Sequence, residues 1–324
     1  MTPSQTIRIF IATPAKQGSN KGNRITAQRW ATILRSLGHR VRVGERYSEG
    51  SYDLLIALHA RKSASSVSRF RRQVPGGRVI VVLTGTDLHR DFGHSKLVVR
   101  SLQLADRIVV LEPQGALKLP QQFKKKIQVI FQSAERLVRP PKKLTRFFEV
   151  SVLGHLRPVK DPFRTAYAAR RLPPSSRVRV VHFGRALTAR MESTARREMG
   201  SNFRYRWFGS VPHGVAQRRL ARSRLTVLSS KSEGGPAVLS EAIVNDVPIL
   251  ASRIDASVGI LGANHPGLFE YGDTQRLAEL MNQAETEPSF FQRLVNAGRK
   301  LKPEFAPRRE KNAWRSLLSG LFDG

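Results

Sequence analysis

Short apolar runs recur along this chain at intervals that leave room for a helix between each pair, and that rhythm constrains the fold more than any other feature. Ile7 to Ala12 reads as a buried strand, and Thr26 to Leu37 carries apolar residues at helical spacing, closed by Gly38 as a C-cap. The series continues with Arg40 to Val43, Asp53 to Leu58, Arg78 to Leu83, Arg107 to Leu111 and Ile127 to Ile130. Strands spaced by helices imply a mostly parallel sheet covered on both faces, because parallel neighbours need crossover connections.

The pattern breaks at Arg139, Pro140, Pro141 and Lys142 to Arg146, a proline-broken, charged stretch suited to a hinge. It then restarts with strands at Phe148 to Gly154, Val178 to Phe183, Tyr205 to Phe208, Leu225 to Leu228 and Pro248 to Ala251. Helices fit at Phe163 to Arg171, Thr188 to Met199, Val215 to Ala221, Ala237 to Asn245 and Thr274 to Thr286, with an amphipathic closing helix from Arg308 to Phe322. Two α/β domains are expected, residues 1–143 and 144–307, with 308–324 as a terminal helix; 324 residues at 40% apolar suffice for two cores.

Cysteine is absent, which excludes disulfides, thiolate metal sites and cysteine nucleophiles. The first apolar run is too short for a signal-peptide core and no later stretch could span a bilayer, so a cytoplasmic protein is expected. Lys plus Arg number 56 against 24 Asp plus Glu, a net charge of +32 that attracts phosphates, nucleic acid or anionic lipid. The bases are spread through every segment and aromatics are only 7%, which favours solvated surface over a dedicated nucleic-acid stripe.

In open parallel sheets ligands bind beyond the carboxyl ends of the strands, so the loops after strands are informative. The first runs from Pro14 through Gly18, Lys21, Gly22, Asn23 and Arg24 to a helix opened by Thr26, where amide groups and two bases could receive an anion; a solvated turn is the plain alternative. The second holds Gly154, Arg157 and Lys160, with two cations three apart that could meet one diphosphate. The third places Glu233, Gly234 and Gly235 after a strand and Glu241 inside the next helix. Carboxylates accept from sugar diols, whereas in the plain reading Glu233 caps that helix and Glu241 is exposed. The fourth, Trp207 to His213 with Val211, is a turn that could frame a planar base, or a plain proline turn.

Together these segments resemble the GT-B glycosyltransferases of family 4. Gly154 to Asp161 is similar to that family's G-x-L-x-x-x-K-D/G loop, Phe208 to His213 to its F-x-G-x-V-P-H turn, and Ser232 to Ala242 to its pair of glutamates with seven residues between them. The resemblance implies an α/β GT-B fold of two Rossmann-like domains facing across a cleft, with the last helix crossing back onto the first domain. It implies that Arg157 and Lys160 hold the donor diphosphate, Glu241 the ribose, Glu233 with Gly234 and Gly235 the transferred sugar, and that Val211 to His213, beside Gly154, lie near the nucleotide. His59 matches a histidine that lies beside the reacting carbon, or is an exposed loop residue; Asp87, in Thr84-Gly85-Thr86-Asp87, is expected to help position sugar and acceptor.

The opening loop replaces the family's usual glycine pair with a basic, Asn-bearing version, which argues against a standard polyol or lipid acceptor. The run from Pro14 to Trp30 resembles more specifically the selenosugar synthases of selenoneine biosynthesis, which implies selenophosphate as acceptor at Lys21, Gly22, Asn23, Arg24 and Thr26, with a UDP-sugar as donor and co-substrate. No cofactor is expected, and with no Asp-x-Asp pair no metal. Three alternatives stay open: glycosylation of a lipid with peripheral membrane contact, a sugar-phosphorylase-like reaction with plain phosphate, and a basic nucleic-acid-binding protein with a degenerate sugar site.

Overall fold

The computed structural model describes residues 6–18, 22–89 and 91–322. By contacts the chain forms two units: one of residues 1–132, 233–235 and 307–324, the other of 133–232 and 236–306. The first division along the chain therefore falls between Gln132 and Ser133, ahead of the Arg139 to Arg146 stretch.

The first unit holds strands β1 (Arg8–Ala12), β2 (Arg40–Gly44), β3 (Leu54–Leu58), β4 (Arg78–Leu83), β5 (Arg107–Val110) and β6 (Ile127–Val129). They pair in parallel in the order β2-β1-β3-β4-β5-β6. Side chains alternate across a strand, so Ile9 and Ile11 enter a core with Leu54, Ile56 and Trp30, while Phe10 and Ala12 enter the opposite one with Leu55, Ala57 and Phe70. Both faces are covered, which is why these strands read as continuous apolar runs rather than alternating ones. The C-terminal helix Pro307–Phe322 adds Trp314, Leu317, Leu318 and Leu321 to the first of these cores, edge-on to Trp30 with ring centroids 4.8 Å apart.

The second unit holds β7 (Phe148–Leu153), β8 (Val178–Phe183), β9 (Tyr205–Trp207), β10 (Leu225–Leu228), β11 (Ile249–Ser252) and β12 (Leu268–Phe269). Its parallel order is β12-β11-β10-β7-β8-β9. The chain winds outward from β7 through β8 and β9, then returns and winds the other way from β10, so the order reverses between β7 and β10. At such a reversal the loops leave in opposite directions and open a crevice beyond the strand ends. In the first unit the corresponding point lies between β1 and β3. Helix starts are capped locally: Asp273 accepts from the Arg276 amide at 2.8 Å ahead of Thr274–Thr286, and Thr188 accepts from the Met191 amide at 3.2 Å ahead of Ala189–Ser201. Among the described residues no helix is long and apolar enough to cross a membrane.

Candidate functional site

The reversal between β7 and β10 points to the loops after those two strands, and the structure ties them together. After β7 the chain makes a short 3-10 turn, Pro158–Lys160, closed by Asp161 in the left-handed region at φ 43°. From the β10 loop, the Lys231 amide donates to the Val159 carbonyl at 2.8 Å, and the Ser229 hydroxyl donates to the Asp161 carbonyl at 2.9 Å and the Lys160 carbonyl at 3.3 Å. Arg157 stands just ahead of this turn, exposed, and its side chain makes no hydrogen bond or ion pair among the described residues. Lys160 is half-buried, its stem passing 3.7 Å from where a Cβ on Gly154 would stand. An exposed cation and a half-buried one on a braced turn at a strand's carboxyl end suit an anionic group.

Glu241 lies in helix Ala237–Val244, which leads back from the β10 loop. It is 6% exposed, not the solvent-facing residue of the plain helix reading, and its Oε1 lies 2.9 Å from His213 Nε2. Pro236 stands at the N-cap position of that helix and supplies no side-chain cap. His213 begins helix His213–Arg222 just after Val211 and Pro212, in the turn that follows β9; Val211 is half-buried and His213 exposed. The third and fourth sequence motifs thus meet through one carboxylate and one imidazole.

Glu233, Gly234 and Gly235 group by contact with the first unit. A Cβ added at Gly234 would stand 2.3 Å from the Thr84 carbonyl carbon and oxygen, and one at Gly235 2.7 Å from the Leu111 Cβ. The glycine pair therefore permits a backbone approach that no other residue allows.

In the first unit His59 follows β3 and adopts φ 69°, a conformation rare outside glycine. The ring is 3% exposed, which corrects the expectation of an exposed loop histidine as its plain alternative. Its Nε2 lies 2.9 Å from the Thr86 hydroxyl, and its Nδ1 lies 3.8 Å from Asp87 Oδ2. Asp87 is wholly buried and accepts from the amides of Ala60 at 2.9 Å, Thr84 at 3.0 Å and Gly85 at 2.9 Å. A carboxylate so enclosed braces the loops after β3 and β4. Burial lowers the His59 ring from its ordinary value against the pull of Asp87; burial raises the Asp87 carboxyl, opposed by His59 and the amide donors.

The helix of the opening loop starts at Gly22, not Thr26, and runs to Ser36. Gly22 and Asn23 therefore occupy its first turn, exposed and half-buried. Arg24 and Thr26 are each 8% exposed, and the Thr26 hydroxyl accepts from Gln132 Nε2 at 2.7 Å. Lys21 lies outside the described residues.

Two residues of the β7 loop's surroundings were missed from the sequence. Gly184, after β8, has φ 153°, and a Cβ there would fall 1.9 Å from the Gly154 carbonyl oxygen. His182, inside β8, reaches that same oxygen at 3.0 Å through Nε2 and the Tyr205 hydroxyl at 3.1 Å through Nδ1. The positive φ at Gly184 has no sequence signature, and a histidine between Val181 and Phe183 reads simply as part of a strand.

Two parallel α/β units, one with its strand order reversing between β7 and β10, define the fold class of the GT-B glycosyltransferases. Sucrose-phosphate synthase from Thermosynechococcus elongatus superposes with a TM-score of 0.78 at 15% identity, over 98% of this chain and all (100%) of that one. Anabaena HepE, crystallised in complex with UDP and glucose, gives 0.72 at 15% identity over 97% of this chain and 100% of that one. A glycosyltransferase from Rickettsia africae gives 0.74 at 11% over 98% and 100%. Residues 134–301 match the family described as glycosyl transferases group 1, and the chain belongs to that family. A relative from Xenopus tropicalis, glycosyltransferase 1 domain-containing protein 1, is 30% identical over 112 residues, 34% of this chain and 32% of that protein, so the match spans about a third of the relative's length.

Proposed function

We propose that the chain is a glycosyltransferase that takes a hexose from a UDP-sugar, UDP-glucose or UDP-N-acetylglucosamine, and joins it to selenophosphate. The observation that carries the donor half is the braced turn at the β7/β10 reversal, which presents the Arg157 and Lys160 cations beyond the strand ends. In this reading they neutralise charge on the departing UDP, Glu241 accepts from the ribose hydroxyls, and Glu233 with Gly234 and Gly235 takes the sugar. Val211 and His213 flank the base. The complexes of Anabaena HepE with UDP and UDP-glucose support a nucleotide-sugar donor through likeness of fold.

The acceptor half rests on the opening motif from Pro14 to Trp30, with Gly22 and Asn23 in the first turn of a helix whose amides favour anions. Selenium forms a bond to the anomeric carbon with its lone pair as the carbon–oxygen bond to UDP breaks, and UDP leaves with the electron pair of that broken bond. Water then cleaves the phosphorus–selenium bond, releasing phosphate and the selenol. Selenium is already ionised and polarizable, so no strong base is needed; His59 acts by position. Arg157 and Lys160 serve in place of a divalent cation, and EDTA leaves turnover unchanged.

The test is incubation of the purified chain with each UDP-sugar, with and without selenophosphate, and mass spectrometry of the products. A selenosugar and UDP are expected only when both substrates are present. UDP release indifferent to selenophosphate overturns the acceptor; absence of any UDP binding overturns the donor.

A further inference from the structure

We infer that His182 and Tyr205 are positioning residues for the Arg157 turn: through the Gly154 carbonyl they hold the loop that carries the two cations. The inference rests on the UDP-sugar reading for its catalytic consequence.

The loop after β7 is zipped to the loop after β8 one residue at a time. The Gly154 amide donates to the Phe183 carbonyl at 2.9 Å, the Leu156 amide to Arg185 at 3.0 Å, and the Leu187 amide back to Leu156 at 3.2 Å; the Arg185 amide donates to His155 Nδ1 at 3.1 Å. Arg157 is the next residue after this zip and stands in solvent. Beyond it the Lys231 amide and the Ser229 hydroxyl hold Val159 to Asp161. The turn is thus fixed at both ends and projects between them.

His182 supplies a side-chain donor at the root of that zip. A carbonyl oxygen only accepts, so the Nε2 facing Gly154 carries the hydrogen. Nδ1 is then the bare nitrogen and accepts from the Tyr205 hydroxyl, whose oxygen lies 3.1 Å away. The order is fixed: Tyr205 O–H to Nδ1, then Nε2–H to the Gly154 oxygen, each bond polarising the next. His182 is 1% exposed and Tyr205 wholly buried, so water does not compete for either group. Gly184 closes the other side of the Gly154 oxygen, and the Trp207 indole N–H donates to the Gly184 carbonyl at 2.8 Å.

Burying an imidazole and a phenol costs free energy that an apolar pair of equal volume does not. Leucine at position 182 would fill the space but give the Gly154 carbonyl no donor. The pair therefore contributes direction rather than bulk: it sets where the chain leaves the sheet, and with it where the Arg157 guanidinium stands. Displacement of a charge-stabilising group by as little as an ångström lowers turnover about a hundredfold.

Three variants test this: His182→Leu, His182→Gln and Tyr205→Phe, each measured for kcat and KM with the UDP-sugar that the wild type turns over, for UDP affinity by calorimetry, and for amide exchange across residues 154–161. His182→Leu is expected to lower kcat at least about tenfold per folded molecule and to speed exchange at Leu156 and Lys160. His182→Gln restores most of both, because its amide N–H reaches where Nε2 stood. Tyr205→Phe, which removes one hydroxyl from the core, gives an intermediate loss and serves if the leucine variant fails to fold. Wild-type kcat and exchange in His182→Leu, or a glutamine variant no better than the leucine one, overturn the inference. If the wild type binds no UDP, the donor reading falls, while the exchange pattern still decides whether His182 orders the turn.

Discussion

His213 Nε2 stands 2.9 Å from Glu241 Oε1, an imidazole 56% exposed against a carboxylate 8% exposed. The buried carboxylate thus meets an imidazole that is itself largely exposed. Glu241→Ala removes the acceptor and is expected to weaken UDP binding by about 10- to 100-fold, the worth of a charge-assisted hydrogen bond. His213→Ala leaves the carboxylate in place and costs only about threefold by the same scale. Calorimetric titration with UDP checks both, and equal losses would show that the ring, not the carboxylate, holds the nucleotide.

Arg157 differs from most arginines in the β7 to β9 region in that its side chain makes no hydrogen bond or ion pair among the described residues. Arg170 and Arg164, by contrast, are paired with Glu198 at 2.8 Å and Asp161 at 2.7 Å. Arg157→Ala therefore removes no folding contact and leaves the melting temperature unchanged, while kcat falls by about 10²- to 10³-fold if the guanidinium meets the leaving group. A melting shift of several degrees with unchanged kcat would mean that the residue is structural.

Gly184 and Gly154 separate two reasons for a glycine. At Gly184 a methyl group would collide with the Gly154 carbonyl at 1.9 Å and φ is 153°; at Gly154 the nearest atom to an added Cβ is the flexible Lys160 Cδ at 3.7 Å. Gly184→Ala is expected to cost upwards of about 4 kcal/mol, in the range of the severe substitutions, and Gly154→Ala less than about 1 kcal/mol. Urea unfolding of the two variants decides it; similar midpoints would contradict the packing.

Strands β4, β8 and β10 and helix Thr274–Thr286 have the bounds that the sequence pattern implies, because each is a β-branched or periodic run stopped by turn or capping residues. Strand β12, of two residues, is too short to show any period, and helices Asp255–Leu261 and Pro288–Leu301 were not read at all. Asp255–Leu261 is a short segment whose helicity owes more to burial of Ala256, Ile260 and Leu261 than to periodicity. The helix beginning at Gly22 was read as starting at Thr26 because glycine and asparagine signal turns, yet both continue this helix. In the site, loops after strands were legible since topology dictates them. The pairing of His213 with Glu241, and of His182 with Gly154, depends on register between strands distant in sequence and leaves no trace in spacing.

Two buried imidazoles set an acid limit on stability. Burial pushes His182 and His265 down to about 4 from the ordinary 6.5. The unfolded chain then takes up protons between roughly pH 6.5 and 4 that the folded chain refuses, so stability is fully present above about pH 6.5 and falls as pH drops toward 4. At about 1.4 kcal/mol per pH unit, each ring accounts for roughly 3 kcal/mol over that window. His182→Gln removes one ring, so the melting temperature of the variant falls less between pH 7 and pH 5 than that of the wild type. Parallel curves would mean that His182 is charged in the folded protein.

Trp30 and Trp314 pack edge to face in the first unit, but only one has a hydrogen-bonded indole. Trp30 Nε1 donates to Glu310 Oε1 at 2.7 Å, whereas Trp314 Nε1 is buried without a hydrogen-bond partner among the described residues. Changing either to phenylalanine removes the same atoms and opens a similar cavity, so the difference between the two variants reads the polar contribution alone. Trp30→Phe takes the indole donor from a carboxylate whose side chain is wholly buried. Trp314→Phe discards an N–H that was already unsatisfied. Trp30→Phe is therefore expected to be the more destabilising by about 1–3 kcal/mol, read by chemical unfolding, and an equal or larger loss for Trp314→Phe would show that packing outweighs the hydrogen bond where the terminal helix meets helix Gly22–Ser36.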